Sequence, residues 1–321
     1  MNSGPRQFVQ VLWSAVLCAV LFFSGFFVLW TPLPLFHLSL KTQKSSWFLA
    51  LGGAFVLAVL FYVWAVSDLT QAGMGLAYFG YYLLIAIFLS LGVWKKWNLI
   101  RLGAITTFAV TTIVFWSGFL GQTFGLVDIH GMMVGAIQEI SQLLDKMAAN
   151  SPAQTDKVEM LTMVSQAKQW LEWMPKLLPS MIFTFTLLVV AINIGFLGVI
   201  YRVRKAVKWV WDFRRLEIPS LCIWGVITAG ALFFVDVYVL KRGWPKIIAL
   251  NLFVAVSAIY FIQGLSIMAW FLKRYSLLFR FGIYGLLILF FQMLGMVVFG
   301  LGLADTWFDF RKLHKKITNG G

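Results

Sequence analysis

Charge is scarce in this chain. Asp, Glu, Lys and Arg make up 12% of it, against about 25% in a typical soluble domain. Acids are the rarer sign, 12 in 321 residues. Cysteine is rarer still. Cys18 and Cys222 both fall in apolar segments and there is no CxxC, so a disulfide framework is excluded and two small packing residues are expected. Three histidines, His37, His130 and His314, are scattered, with no HExxH and no His/Cys cluster, so no metal centre is expected. Neither GxxxxGK[ST] nor GxSxG occurs. No pair of carboxylates lies centrally in an apolar segment. The expectation is a protein without cofactor and without catalytic residues.

What is present is hydrocarbon. The composition is 61% hydrophobic and 17% aromatic, with a mean hydropathy of +0.86. Eight apolar segments cover 8–30, 46–66, 73–94, 99–121, 178–201, 219–240, 247–272 and 279–303. Each approaches or exceeds the ~20 residues that a helix needs to cross a bilayer. They are continuously apolar rather than alternating, which favours helices over barrel strands. The N-terminus has a signal-peptide look, but the first run continues to Trp30 without a clear cleavage pattern, and a retained span is expected. The predicted fold is an all-α integral membrane protein, a polytopic bundle of about eight transmembrane helices (seven to nine) with one amphipathic helical hairpin. Its predicted parts are a membrane bundle over 1–121, the polar hairpin over 122–177, and a second bundle with a basic tail over 178–321.

Two places strain this scheme. Pro32 and Pro34 remove backbone donors, so 8–40 reads either as one span with a re-entrant piece or as two short spans. The charge pattern also conflicts with the span count. Arg202, Arg204, Lys205, Lys208, Arg214 and Arg215 place 202–217 on the inner face. Lys95, Lys96 and Arg101 follow them. Arg311, Lys312, Lys315 and Lys316 ask for the same face, yet three spans intervene. Either one late segment fails to cross or the tail is an exception. With eight spans the N-terminus lies outside; if 8–40 crosses twice, it lies inside.

Helix packing has recognisable material in Ala50, Ala54 and Ala58, in Ala15 and Ala19, and in Gly121 and Gly125, all small residues four apart. In the polar insert, Met133, Ile137, Ile140, Leu144 and Met147 form one apolar seam. Met160, Val164, Ala167, Leu171 and Met174 form a second. Asn150-Ser151-Pro152 separates them, and Asp156 with Glu159 suggests a cap. This predicts an antiparallel hairpin with six acids against four lysines, followed by Trp170, Trp173 and Pro175 at the membrane interface.

Polar residues inside spans are the default functional candidates. These are Asn193, Asn251, Gln263 and Gln292, with interhelical hydrogen bonding as the plainer role. Asn251 and Gln263 lie ~18 Å apart along one helix. Asp236 lies near Lys241 and Arg242 and suggests an interfacial ion pair. Two clusters point to headgroup or partner contact. Arg214, Arg215 and Glu217 precede Pro219, with Glu217 favoured near a helix start. Asp305, Trp307, Asp309 and Arg311 close the last span.

With Gln263-Gly264 and Phe271-Leu272-Lys273-Arg274, these two clusters resemble the YybS-like family of uncharacterised bacterial multi-pass membrane proteins, a domain of unknown function. The Gly302-x-x-Asp305-x-Trp307-Phe308-Asp309-Phe310-Arg311 ending carries most of that likeness. The resemblance implies a bacterial inner (plasma) membrane location and no established activity. The Ala15/Ala19 face of the first span is distantly similar to substrate-binding subunits of energy-coupling-factor transporters. Two functions are therefore expected. One is a small-molecule binding or transport subunit without its own ATPase. The other is a scaffold or regulator that recruits a membrane protein partner. The lipid bilayer is a partner in both, and the basic loops call for no nucleic acid.

Overall fold

The computed structural model describes residues 4–125, 128–149, 154–204 and 212–311. Eleven α-helices account for most of these, and there is no strand among the described residues. Eight helices are long and apolar enough to cross a membrane: Arg6–Phe23, Lys44–Ala65, Leu69–Trp94, Leu99–Thr123, Trp173–Ile200, Ser220–Leu240, Trp244–Leu272 and Phe291–Phe308. The chain is an all-α polytopic membrane protein. It divides into two compact units. The first comprises Met1–Thr111, Phe183–Trp224 and Val256–Gly321; the second comprises Thr112–Ile182 and Gly225–Ala255.

In the first unit, α1 (Gly4–Phe23) and α3 (Lys44–Ala65) run parallel. A Cβ at Gly53 would meet that of Ala15 at 3.4 Å, and the Phe23 and Phe61 rings lie 3.8 Å apart, a constant offset of 38 residues. The two small-residue ladders meet here: Ala15, Ala19, Ala50, Ala54 and Ala58 are all buried. Two parallel neighbours require the chain between them to return. Residues 24–43 do so as a 3-10 turn (Val28–Trp30) and a seven-residue helix, α2 (Leu33–Ser39). The expected span 8–30 therefore ends at Phe23, and 8–40 goes out and back. Irregular backbone at membrane depth is tolerated only inside protein. Thr31, Leu35 and Phe36 are accordingly buried, Cys18 Sγ donates to the Thr31 carbonyl (3.2 Å), and Trp47 Nε1 donates to that of Leu35 (2.8 Å).

Antiparallel to α3 is α4 (Leu69–Trp94), opened by Asp68 accepting the Thr70 N–H. Lys44 Nζ sits over the Trp94 ring, so both lie at one end of the unit. Next comes α5 (Leu99–Thr123), closed by Gly125 at φ +66°. That left-handed geometry ends a helix, so Gly125 terminates rather than packs.

The second unit holds the hairpin. Its first arm is α6 (Ile129–Ala149) and its second is the start of α7 (Gln154–Arg204). Asp145 and Lys168 join the arms at 2.8 Å. Val164 and Leu171 of the expected seam are buried, whereas Ile140 and Met174 are exposed. Asn150, Ser151 and Pro152 lie outside the described residues, as do the side chains of Asp156, Glu159, Met160, Leu144, Met147, Trp170 and His130. The span expected to begin at 178 is no separate helix: α7 runs through Pro175 and Pro179 without interruption.

Asn251 shows how α7 survives its prolines. Pro179 donates no N–H and crowds the turn before it. The Ser180 N–H and the Lys176 carbonyl flank that turn. The Asn251 amide fits between them, accepting from Ser180 N–H (3.0 Å) and donating to Lys176 O (2.8 Å). Lys176 and Lys246 both sit over the Trp173 ring. The second unit also contains α8 (Ile223–Val235) from Gly225 onward and the π-type turn Asp236–Leu240. Instead of the expected ion pair, the buried Asp236 carboxylate caps the backbone N–H groups of Arg242 and Gly243 (3.0–3.2 Å).

The expected last span, 279–303, is two helices, α10 (Leu277–Leu289) and α11 (Phe291–Phe308), broken at Phe290. They follow α9 (Trp244–Leu272). A straight helix over 277–308 would hold its ends ~48 Å apart. Instead Lys273, before it, and Asp309 and Arg311, after it, line one cleft. The pair leaves and returns.

Candidate functional site

Three stretches distant in sequence converge in the first unit: the loop 212–219, the end of α9, and the end of α11. Small residues allow it. A Cβ at Gly302 would overlap the Tyr260 carbonyl, and one at Gly264 would overlap that of Val298, so the α9 and α11 backbones touch. Beside this contact lies a buried polar group. Asp305 Oδ2 accepts from Gln263 Nε2 (2.9 Å) and from Arg311 (3.4 Å). Its Oδ1 accepts the Phe310 N–H (3.0 Å). Asp309 takes a left-handed conformation (φ 42°), which ends α11 and lets the chain fold Arg311 back.

Arg311 is the connector. Its guanidinium donates to the carbonyls of Leu216 (2.7 Å) and Arg214 (3.2 Å) while facing Asp305. Ser266 Oγ donates to the Phe213 carbonyl (2.7 Å). The loop is thus pinned from two helices. Within it, Asp212 caps the 3-10 turn Phe213–Arg215 by accepting the Arg214 N–H and pairs with the Arg214 guanidinium (3.1 Å). Gln263, Ser266, Asp305 and Arg311 are all buried. Gln263 Oε1 and Arg311 Nε have no hydrogen-bond partner among the described residues.

Two cavities flank this loop. On one side is a polar cleft of about 450 Å³, lined by Asp212, Arg214, Arg215, Glu217, Trp270, Lys273, Asp309 and Arg311. On the other is an apolar pocket of about 210 Å³ between the start of α5, the upper part of α7 and α9. The loop presents alternate faces to them. Phe213, Leu216, Ile218 and Pro219 line the apolar pocket, and Arg214, Arg215 and Glu217 line the polar cleft.

The chain matches the family model described as "Predicted membrane protein (DUF2232)" over residues 11–306. It belongs to that family. No curated protein and no solved structure matches it. For this DUF2232 member the match includes the loop, Gln263 and Asp305, and stops short of Asp309 and Arg311.

Of the residues singled out from the sequence, Gln263, Arg214, Arg215, Glu217, Asp305, Asp309 and Arg311 come together here. Trp307 lies exposed at the end of α11. Asn193 is elsewhere in the first unit, fully buried, its amide donating to the Leu29 carbonyl (2.8 Å) in the returning segment and to Val189 O. Asn251 belongs to the second unit and shares no site with Gln263. Gln292 is exposed, one residue into α11. Sequence reasoning missed Ser266, Trp270 and the whole apolar pocket. Small polar and apolar side chains inside hydrophobic helices carry no local signal.

The shared cleft also bears on topology. Residues 212–217 and 309–311 meet at one end of the unit, with no exception needed for Arg311. The start of α5 joins them through the apolar pocket, and Lys44 joins α5 through Trp94. The parallel α1 and α3 put the N-terminus at that same end. Lys205, Lys208, Lys312, Lys315 and Lys316 lie outside the described residues.

Proposed function

We propose that this chain is a non-catalytic binding or transport subunit of the bacterial inner membrane, without an ATPase of its own, that holds a small molecule at the 212–219 loop. Its loop end faces the cytoplasm, following the basic residues of 202–217. The single observation that supports this reading is the polar cleft with the charged group buried beside it. The cleft volume falls in the 300–1,000 Å³ range of ligand sites, and buried ionisable residues at membrane depth are conventionally functional. The interrupted segments at 24–43 and at Phe290 fit it too, since transporters build sites from broken helices.

A thermal-shift screen of water-soluble metabolites on the purified protein tests the proposal. A stabilising compound should lose its effect in Lys273→Gln and Arg215→Gln, whose side chains line the cleft without holding the fold. Absence of any shift, or shifts that both variants retain, refutes it.

A scaffold role is the second reading. It rests on the hairpin, whose first arm carries exposed Met132, Ile140 and Leu143. Deleting 128–176 should then release a co-purifying partner; a wild-type chain recovered alone after gentle crosslinking counts against this role.

A further inference from the structure

Resting on the binding proposal above, we infer that the ligand is an amphiphile, a single hydrocarbon chain with an anionic phosphate head, seated astride the 212–219 loop. The head occupies the polar cleft and the tail occupies the apolar pocket.

The loop itself argues for this. Six consecutive residues divide their side chains between two cavities of opposite character: Phe213, Leu216 and Ile218 to one side, Arg214, Arg215 and Glu217 to the other. A purely polar ligand leaves the apolar pocket without purpose, and a purely apolar one leaves the cations without purpose. The pocket is walled by Gly103, Ala104, Phe108, Phe183, Leu187 and Val190 among others. It follows α5 from Leu99 to Phe108, about 14 Å along the helix axis, starting near the end where the cleft lies. A tail entering there would run in the direction that lipid tails run.

The head chemistry follows from the cations. Arg214, Arg215, Lys273 and Arg311 line the cleft, outnumbering its carboxylates Asp212, Glu217 and Asp309. Asp212 occupies the Arg214 guanidinium at 3.1 Å, but it reaches Arg215 only at 3.9 Å, and that side chain is 84% exposed. Arg311 is 6% exposed and already engaged by Asp305 and two loop carbonyls, so the head is met by Arg215 and Lys273. Guanidinium and ammonium groups together are the usual recognition set for phosphate.

The test uses the full chain in phosphatidylcholine nanodiscs and a lysophosphatidate probe with a photoactivatable diazirine in mid-chain. Crosslinks are mapped by peptide mass spectrometry. The expected result is labelling within 99–108 and 183–194. Labelling should fall about tenfold, the factor that 1.4 kcal/mol carries, in each of two variants. Gly103→Leu fills the pocket; a side chain there meets open space, so the fold is spared. The Arg215→Gln/Lys273→Gln double variant strips the exposed cations. The matching monoacylglycerol probe, with the same tail and no phosphate, should label weakly.

Equal labelling by monoacylglycerol would mean ordinary boundary lipid and would overturn the inference. So would labelling indifferent to both variants. Inorganic phosphate that abolishes labelling and binds Gly103→Leu as well as wild type would mark a free-anion site and also overturn it. In that last case, and wherever a metabolite shift survives Gly103→Leu but not Lys273→Gln, the small-molecule proposal stands while the amphiphile falls.

Discussion

Replacing Arg311 with methionine keeps the apolar stem and removes the charge. The guanidinium satisfies the Leu216 and Arg214 carbonyls and neutralises Asp305. Both charged side chains are nearly inaccessible, 7% and 5% exposed. After Arg311→Met, Asp305 retains Gln263 and the Phe310 N–H but loses its counter-charge. Removing one partner of a buried pair destabilises by about 3–5 kcal/mol. The two released carbonyls lie in a part-buried loop that water can reach, so they add little. At roughly 2 °C per kcal/mol for a chain of this size, melting in detergent should fall by ~6–10 °C. Asp305→Leu should cost about as much, because it leaves the buried Arg311 charge unpaired and orphans the Gln263 amide and the Phe310 N–H. The double variant should recover about 2 kcal/mol relative to the sum, as contacting residues do. Tryptophan-fluorescence melts and denaturant titration in matched micelles supply the cycle. Additive single effects, or an Arg311→Met protein as stable as wild type, would show that this pair does not hold the loop.

Three further outcomes follow from the same geometry. Gly302→Val forces a side chain into the Tyr260 carbonyl and should destabilise by at least the ~1–3 kcal/mol of ordinary overpacking, whereas Gly300→Val, facing open space, should be near neutral; equal melting temperatures would refute the contact. Asn251→Leu leaves Ser180 N–H and Lys176 C=O without their bridge and should destabilise by about 1–3 kcal/mol, while Asp145→Asn, breaking an exposed pair, should change stability by under ~1 kcal/mol; melts of the two variants decide it. Single cysteines at Lys96, Arg215 and Asp309 in a Cys18→Ala/Cys222→Ala background should react with an impermeant maleimide from one side of sealed vesicles, and Ser67→Cys from the other; Asp309→Cys reacting with Ser67→Cys would refute the returning α10–α11 pair.

Physical reasons separate what could be read along the chain from what could not. Span number follows from hydropathy summed over ~20 residues, a local quantity. Pro32 and Pro34 announced an interruption, but not that α1 and α3 run parallel, because direction is set by the Ala15–Gly53 contact between helices. Pro175 misled. It suggests the entry to a new span, yet α7 runs through both it and Pro179, with Asn251, 71 residues after Ser180, bracing the turn before Pro179. At Phe290 the reverse holds: no proline or glycine marks the position, and the break shows only in the return of α11 to the end of α9 that α10 left. Gln263 and Asp305 each invited attention as polar residues in apolar surroundings, while Ser266 and the pocket at Gly103 did not.

Composition alone determined that this polypeptide dissolves in lipid as helices, because unpaired backbone has no other refuge in hydrocarbon and each residue's transfer free energy adds independently of its neighbours. The convergence of 212–219, α9 and α11 was decided only in three dimensions. It depends on two glycines letting backbones touch and on one arginine reaching a carboxylate and two carbonyls at once, and such many-body geometry is not a sum over positions.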